Sequence, residues 1–223
     1  MNLKIERMKK INSKKVILGF SILLNICLIF SIGFAANHYK EDIIIKIINN
    51  TNKADIVMFG DSHTAAGKWN SLIGYSVKRL GWGGFTSDQL RGLINKTIEY
   101  NPKYVFILCG GNDVGSRCFS IDNVIENYTI MSDTLRNHNI EPVFQKLFYH
   151  VSNPEFNAII DMINKRLFDY CQKENIDFID ITKGLNEDNH LKLELTRDGR
   201  VHLNEKGYKI WSKWIKEYLE THK

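Results

Sequence analysis

Four short segments of the chain hold the residue types that acyl transfer requires: Gly60-Asp61-Ser62-His63, Gly83-Gly84, Gly110-Gly111-Asn112-Asp113 and Asp198-Gly199-Arg200-Val201-His202. A serine hydroxyl becomes a nucleophile when an imidazole stands ready to take its proton, and the imidazole needs a carboxylate or an equivalent to fix its tautomer. The tetrahedral oxyanion needs N–H donors, which close-approaching glycine backbone and an asparagine amide supply without titrating. Read singly, the first segment has a plainer meaning. Asp, Ser and Thr at a strand-to-helix junction are ordinary helix caps, and Ser62 directly follows the apolar run Ile56-Val57-Met58-Phe59 and its Gly60-Asp61 turn. Unpaired N–H groups at a helix start also meet charge on a substrate oxygen, so capping and chemistry compete for the same turn.

The elements that must position these residues follow from hydrophobic periodicity. Short β-like runs at 55–59, 75–79, 104–109, 142–148 and 177–181 alternate with helical spacing at 87–100, 121–137, 154–175 and 204–221. Such alternation predicts parallel strands joined by right-handed crossovers, with helices on both faces of one sheet in a three-layer α/β/α sandwich. Sites in open sheets of this kind form at the carboxyl ends of the strands. Ser62, Gly83-Gly84 and Gly111-Asn112 all follow predicted strand ends, and the Asp198/His202 pair comes just before the last helix.

In this order the blocks resemble the SGNH hydrolases, or GDSL-type esterases. Gly60-Asp61-Ser62 matches the first block, with His63 where many members carry an aliphatic residue. Gly81-Trp82-Gly83-Gly84-Phe85-Thr86 is similar to the second, G-x-G-G-D-T, with Phe85 replacing the acid; Gly110-Gly111-Asn112-Asp113 is similar to the G-x-N-D of the third. His202-Leu203-Asn204-Glu205-Lys206-Gly207-Tyr208 is similar to the ending H-x-N-x-x-G-Y. The resemblance spans most of residues 54–221 and implies a flavodoxin-like parallel five-stranded sheet. It implies Ser62 as nucleophile, His202 as general base and then acid, and an oxyanion hole from the N–H groups of Ser62 and Gly84 and the Asn112 amide. One position departs from the pattern: the family places Asp three residues before the histidine, whereas Asp198 lies four before His202. A bulge that absorbs the extra residue leaves a Ser62–His202–Asp198 triad; otherwise a Ser62–His202 dyad oriented by a backbone carbonyl remains.

Other residues have both a chemical and a structural reading. His63, Trp82, Phe85 and His150 are candidates for the substrate pocket, with core or surface packing as the alternative. Adjacent residues seldom face each other, so His63 reads as a wall residue rather than the base. Asp61 and Asp113 read as loop pins. His190, Asp198 and His202 lack a helical H-E-x-x-H spacing, so no metal is expected; neither nucleotide-loop pattern is present, and no cofactor is expected. The α/β-hydrolase alternative places its serine in G-x-S-x-G, whereas Thr64 occupies the second glycine position here.

The amino terminus reads differently from the rest. Residues 1–15 hold six Lys/Arg against Glu6 and precede an uncharged, largely apolar stretch at 16–36. A signal peptide carries an apolar region of about 7 to 15 residues, while roughly 20 cross a bilayer as a helix. The reading is therefore a basic cytoplasmic segment, a single-pass signal-anchor at 16–36, a connector at 37–53 and an extracytoplasmic catalytic domain at 54–223. Secretion after cleavage near Gly33 and Ala35 is the alternative. Of the net charge of +5 carried by 30 Lys+Arg and 25 Asp+Glu, all belongs to the first fifteen residues. The remaining chain is balanced, which excludes a nucleic-acid footprint on the domain. Cys109, Cys118 and Cys171 read as small buried hydrophobes, with a Cys109–Cys118 bridge as the alternative.

The function implied is an esterase acting through an acyl-Ser62 intermediate on a small-molecule or glycan ester, an O-acetyl group on an envelope or extracellular glycan among them. An O-acyltransferase using the same intermediate and a catalytically silent glycan-binding domain are the alternatives.

Overall fold

The computed structural model describes residues 53–222, together with Leu28. The basic segment, the expected span at 16–36 apart from Leu28, and the connector up to residue 52 lie outside the described residues. Among the described residues no helix is long and apolar enough to cross a membrane.

Five parallel strands, β1 (Ile56–Gly60), β2 (Val77–Gly81), β3 (Tyr104–Leu108), β4 (Glu141–Gln145) and β5 (Asp177–Ile179), form one sheet in the order β2-β1-β3-β4-β5. This is the flavodoxin-like order the resemblance implies. The central strands β1 and β3 are buried at every position, because helices cover both faces; hence their near-continuous apolar runs. Successive residues of β4 show the two faces. Phe144 packs its ring 4.6 Å from that of Tyr128, while the neighbouring Gln145 accepts a 2.8 Å hydrogen bond from the Trp211 indole. Tyr128 lies on Ile121–Arg136 and Trp211 on Glu205–Thr221, so these two helices cover opposite faces.

Seven helices connect and cover the strands among the described residues: α1 (Ser62–Ala66), α2 (Trp69–Ile73), α3 (Ser87–Arg91), α4 (Asn95–Ile98), α5 (Ile121–Arg136), α6 (Pro154–Glu174) and α7 (Glu205–Thr221). Helix α5 packs between α3 and α6, and α2 packs on α7. The long helices α5, α6 and α7 stand where the periodicity predicts them.

Four expectations shift; one is strand β5, which ends at Ile179 rather than at 181. Strand β2 lies two residues later than the predicted 75–79, because side chains bind the preceding backbone: Asp55 accepts the Ser76 N–H at 2.9 Å and Asn70 accepts the Val77 N–H at 2.8 Å. The predicted helix at 87–100 divides into α3 and α4. Beyond Gly92 the backbone switches to shorter loops, Leu93 N–H to Leu90 O at 2.8 Å and Lys96 N–H to Leu93 O at 3.0 Å, the tight three-residue pattern that ends an α-helix. Strand β4 ends at Gln145 rather than at 148, and the chain that leaves it becomes a wall of the site. A two-stranded hairpin, β6 (Asn186–Glu187) with β7 (His190–Leu191), has no counterpart in the sequence reading. Its turn holds Asp188 and Asn189 at φ of 44° and 61°, the left-handed pair a two-residue hairpin demands. Cys109 and Cys171 are buried free thiols, whereas Cys118 is exposed and free.

Candidate active site

The first strand ends in a glycine because the next turn has to pass very close to its neighbours. A Cβ on Gly60 would stand 2.2 Å from Leu108 O and 2.6 Å from Thr64 Oγ1, so any side chain there pushes α1 off the sheet edge. Asp61 caps α1 by accepting the His63 N–H at 3.0 Å. The capping and chemical readings of this turn are therefore compatible: the aspartate caps, and the serine stands in the first turn with its hydroxyl not used by the cap. Ser62 Oγ lies 3.1 Å from His202 Nε2.

The loop that carries His202 absorbs the four-residue offset. Asp198 Oδ2 lies 2.6 Å from His202 Nδ1, while its Oδ1 accepts the N–H groups of Arg200, Val201 and His202 at 3.0, 3.1 and 3.2 Å. Gly199 makes the bend possible, with φ of 69° in the left-handed region that other residues avoid. The loop is closed at its base by Arg197 N–H donating to His202 O at 2.9 Å. Asn204 adds a second closure, donating to Glu194 O at 2.8 Å while its own oxygen caps α7 through the Lys206 and Gly207 N–H groups. Burial alone would raise the Asp198 carboxyl, but the His202 hydrogen bond and the three backbone N–H groups outweigh it and hold the group well below the usual carboxylate range.

On the other side of Ser62 stands Asn112, at the first position of the 3-10 turn Asn112–Gly115 that follows β3. Its Nδ2 donates to Phe85 O at 3.0 Å, which orients the amide and leaves its second N–H available. Asp113 accepts the Ser87 N–H at 2.8 Å and the Ser87 hydroxyl at 2.6 Å, tying this turn to the start of α3; burial raises its pKa. Gly84 occupies the third place of the Trp82–Phe85 turn at φ of 77°, the position a type II turn reserves for glycine.

The cavity over Ser62 measures about 140 Å³. Ser62, Asn112, His202, His63 and His150 line it, and Gly84, Trp82 and Phe85 do not. The aromatic pair has turned to the core instead: Trp82 meets Phe59 edge-on at 5.8 Å and stacks with Phe85 at 6.1 Å. Both rings are half-buried, packed against the core at the sheet edge rather than standing at the polar mouth.

Apolar walls that carry no sequence motif come from elsewhere: Leu108 at the end of β3, Leu147 and Phe148 after β4, Phe156 from α6 and Val201. Two buried asparagines of α6, spaced by seven, act as a backbone template for the wall after β4. Asn164 accepts from Leu147 N–H at 2.7 Å and donates back to its carbonyl at 3.2 Å; Asn157 does the same for His150 at 2.7 and 2.9 Å. Buried asparagine at helical spacing on a core face is the sequence signal for this device, since an unpaired amide there would be costly.

His63 is 8% exposed and lies between Phe148, at 4.9 Å, and the His202 ring, at 5.4 Å. Its Nδ1 is buried with no hydrogen-bond partner among the described residues, and burial, aided by His202, lowers its pKa to about 3. It is thus a neutral aromatic wall, and Tyr208 anchors it by donating to its carbonyl at 2.7 Å. Asp61 is 4% exposed, and burial raises its carboxyl to about 7. Among the described residues no group of three or more His, Cys, Asp or Glu side chains is placed to hold a metal ion.

Residues 58–210 match the GDSL-like Lipase/Acylhydrolase family, and the chain belongs to that family. That family is one of lipases and acylhydrolases. Among solved structures, a GDSL-like lipase from Bacteroides thetaiotaomicron superposes with a TM-score of 0.66 at 23% identity, covering 75% of this chain and 88% of that one. The acetyl xylan esterase AlAXEase superposes at 0.62 with 22% identity, covering 74% and 98%. These two likenesses show a shared fold. Among curated proteins, the N-acylneuraminate cytidylyltransferase of Streptococcus agalactiae is 26% identical over 148 residues, which cover 66% of this chain and 34% of that protein. The chain thus spans about a third of the length of the curated relatives it matches.

Proposed function

We propose that this protein hydrolyses carboxylic esters through an acyl-Ser62 intermediate. The observation that carries the reading is the continuous relay from Ser62 Oγ to His202 Nε2 at 3.1 Å and from His202 Nδ1 to Asp198 at 2.6 Å. His202 takes the serine proton as Ser62 attacks the carbonyl carbon, and Asp198 holds the ring in the tautomer that leaves Nε2 free to accept it. The oxyanion is met by the N–H of Ser62 and by the free N–H of the Asn112 amide, both of which line the cavity. Collapse of the tetrahedral intermediate expels the alcohol, which leaves with the proton from His202. Water, deprotonated by the same imidazole, then attacks the acyl-serine and frees the carboxylic acid.

The small cavity suits a short acyl group, and an O-acetyl ester on a glycan is the proposed substrate class. A fold shared with an acetyl xylan esterase and a sugar-handling curated relative support a sugar as the alcohol half. In this reading residues 16–36 tether the enzyme to the membrane, with the domain acting on envelope or extracellular glycans. The purified protein is assayed on aryl esters of increasing acyl length and on acetylated glycans, with Ser62→Ala alongside. Hydrolysis confined to short acyl groups and abolished in the variant is expected; activity unchanged in Ser62→Ala would sink the mechanism.

A further inference from the structure

The loop that presents His202 also presents two arginines, and neither guanidinium has a hydrogen-bond or ion-pair partner among the described residues. Arg91, Arg136 and Arg166, by contrast, are held by Asp88, by the carbonyls of Glu174 and Asn175, and by Asp122. The backbone of Arg200 is fixed at the rim. Its N–H donates to Asp198 at 3.0 Å, and its carbonyl accepts the Val151 N–H at 2.8 Å. Arg200 is therefore strapped between His150 and His202, both of which line the cavity, while its own side chain is exposed. Arg197 begins the same loop and is also exposed.

Neither arginine is paired with a carboxylate at this rim. Asp61 is the only carboxyl among the residues lining the cavity, and it is buried. Asp198 is committed to His202 and three backbone N–H groups, and Asp113 to Ser87. Glu187, Asp188 and Glu194, on the neighbouring hairpin and turn, make no ion pair with either arginine. The field of Arg200 reaches the cavity wall: burial and then the Arg200 charge lower the pKa of His150, against a smaller opposing pull from Asp198.

We infer that Arg200 reads a negative charge on the alcohol half of the substrate, so that the preferred ester is an O-acylated sugar bearing a carboxylate or a phosphate. The planar guanidinium binds either group through paired N–H donors. The anion docks at the rim beside His150 while the acyl group enters the cavity. The inference rests on the esterase reading above and adds a recognition element to it.

The test uses the full chain and three esters acetylated at the same hydroxyl: methyl glucoside, glucuronate and glucose 6-phosphate. The wild type should favour an anionic ester over the neutral one by about tenfold in kcat/KM, the scale of one charge-assisted hydrogen-bonding contact. The preference should shrink as salt is raised. Arg200→Gln should raise KM for the anionic ester about tenfold with little change in kcat, bringing the ratio to the neutral ester towards one, and Arg200→Lys should restore part of it. Which of glucuronate and phosphate gains more identifies the source of the charge. Equal kcat/KM on all three esters, or a ratio that Arg200→Gln leaves unaltered, overturns the inference while hydrolysis itself stands. No hydrolysis of any ester, with Ser62→Ala indistinguishable from wild type, removes the esterase reading and the inference together.

Discussion

Asp198 gives the sharpest test of the relay, because the structure dictates which way a substituted amide must point. In Asp198→Asn the three backbone N–H groups of Arg200, Val201 and His202 keep the amide oxygen in the Oδ1 place, so the NH₂ turns towards His202 Nδ1. A donor there favours the ring tautomer with its proton on Nε2, which cannot accept from Ser62. Asp198→Ala removes the acceptor without imposing that tautomer. The alanine variant loses one charge-assisted hydrogen bond of about 1.5–3 kcal/mol, which is roughly 10- to 150-fold in kcat. The asparagine variant adds the tautomer penalty and should approach the ~10⁴-fold loss known for this exchange in a Ser-His-Asp triad. Both side chains are 31% exposed, and competing water brings the expectation to between about 10³ and 10⁴. Stability should run the opposite way. Alanine leaves three loop N–H groups without their acceptor, whereas asparagine keeps it, so the more stable variant is the slower one. Steady-state kcat on an aryl acetate, with thermal unfolding of each variant, reads both orders. The reasoning fails if Asp198→Asn turns over within tenfold of wild type, or if activity simply follows stability.

Two further outcomes are expected. Asn112→Ala should slow kcat by about 10²- to 10³-fold, the usual consequence of one lost oxyanion donor at about 2.7–4 kcal/mol, with KM little altered; an equal loss carried by KM would place Asn112 in ground-state binding instead. Asp61, raised from 3.8 to about 7, makes the folded state hold a proton that the unfolded chain releases. Its contribution to stability is thus complete below about pH 4 and is lost as pH rises towards about 7, up to on the order of 4 kcal/mol. Asp61→Asn keeps the cap acceptor for His63 and removes the charge, so its denaturant-derived stability should exceed that of wild type at pH 8 and converge with it at pH 4. Parallel curves for the two proteins would show that Asp61 does not titrate in that range.

Much of this molecule is legible along the chain. Ile56–Phe59 and Tyr104–Leu108 announce central strands because helices bury both of their faces, and the turn chemistry around Asp61, Gly84 and Asn204 is local enough to be read residue by residue. Boundaries are less legible where a distant partner decides them. Asp55 and Asn70 hold the backbone ahead of β2, and the asparagines of α6 draw the chain out of β4. Leu147, Phe148 and Phe156 carry no motif; the first two wall the cavity where Asn157 and Asn164 template the loop at the mouth of the sheet, and Phe156 joins them from α6.

By itself, then, the sequence determined the alternation of strands and helices, the family, and which residue types stand at the carboxyl ends of the strands. Periodicity and caps are consequences of backbone geometry over a few residues. Tertiary structure decided what those residues meet. Trp82 packs on Phe59 and Phe85 stacks on Trp82, because aromatic area gains more from other rings than from water. Asp198, one residue out of the family's register, still reaches His202, because a left-handed glycine and three backbone donors fold the extra residue into the loop. Spacing along a chain counts residues, whereas a hydrogen bond responds only to distance and direction in space.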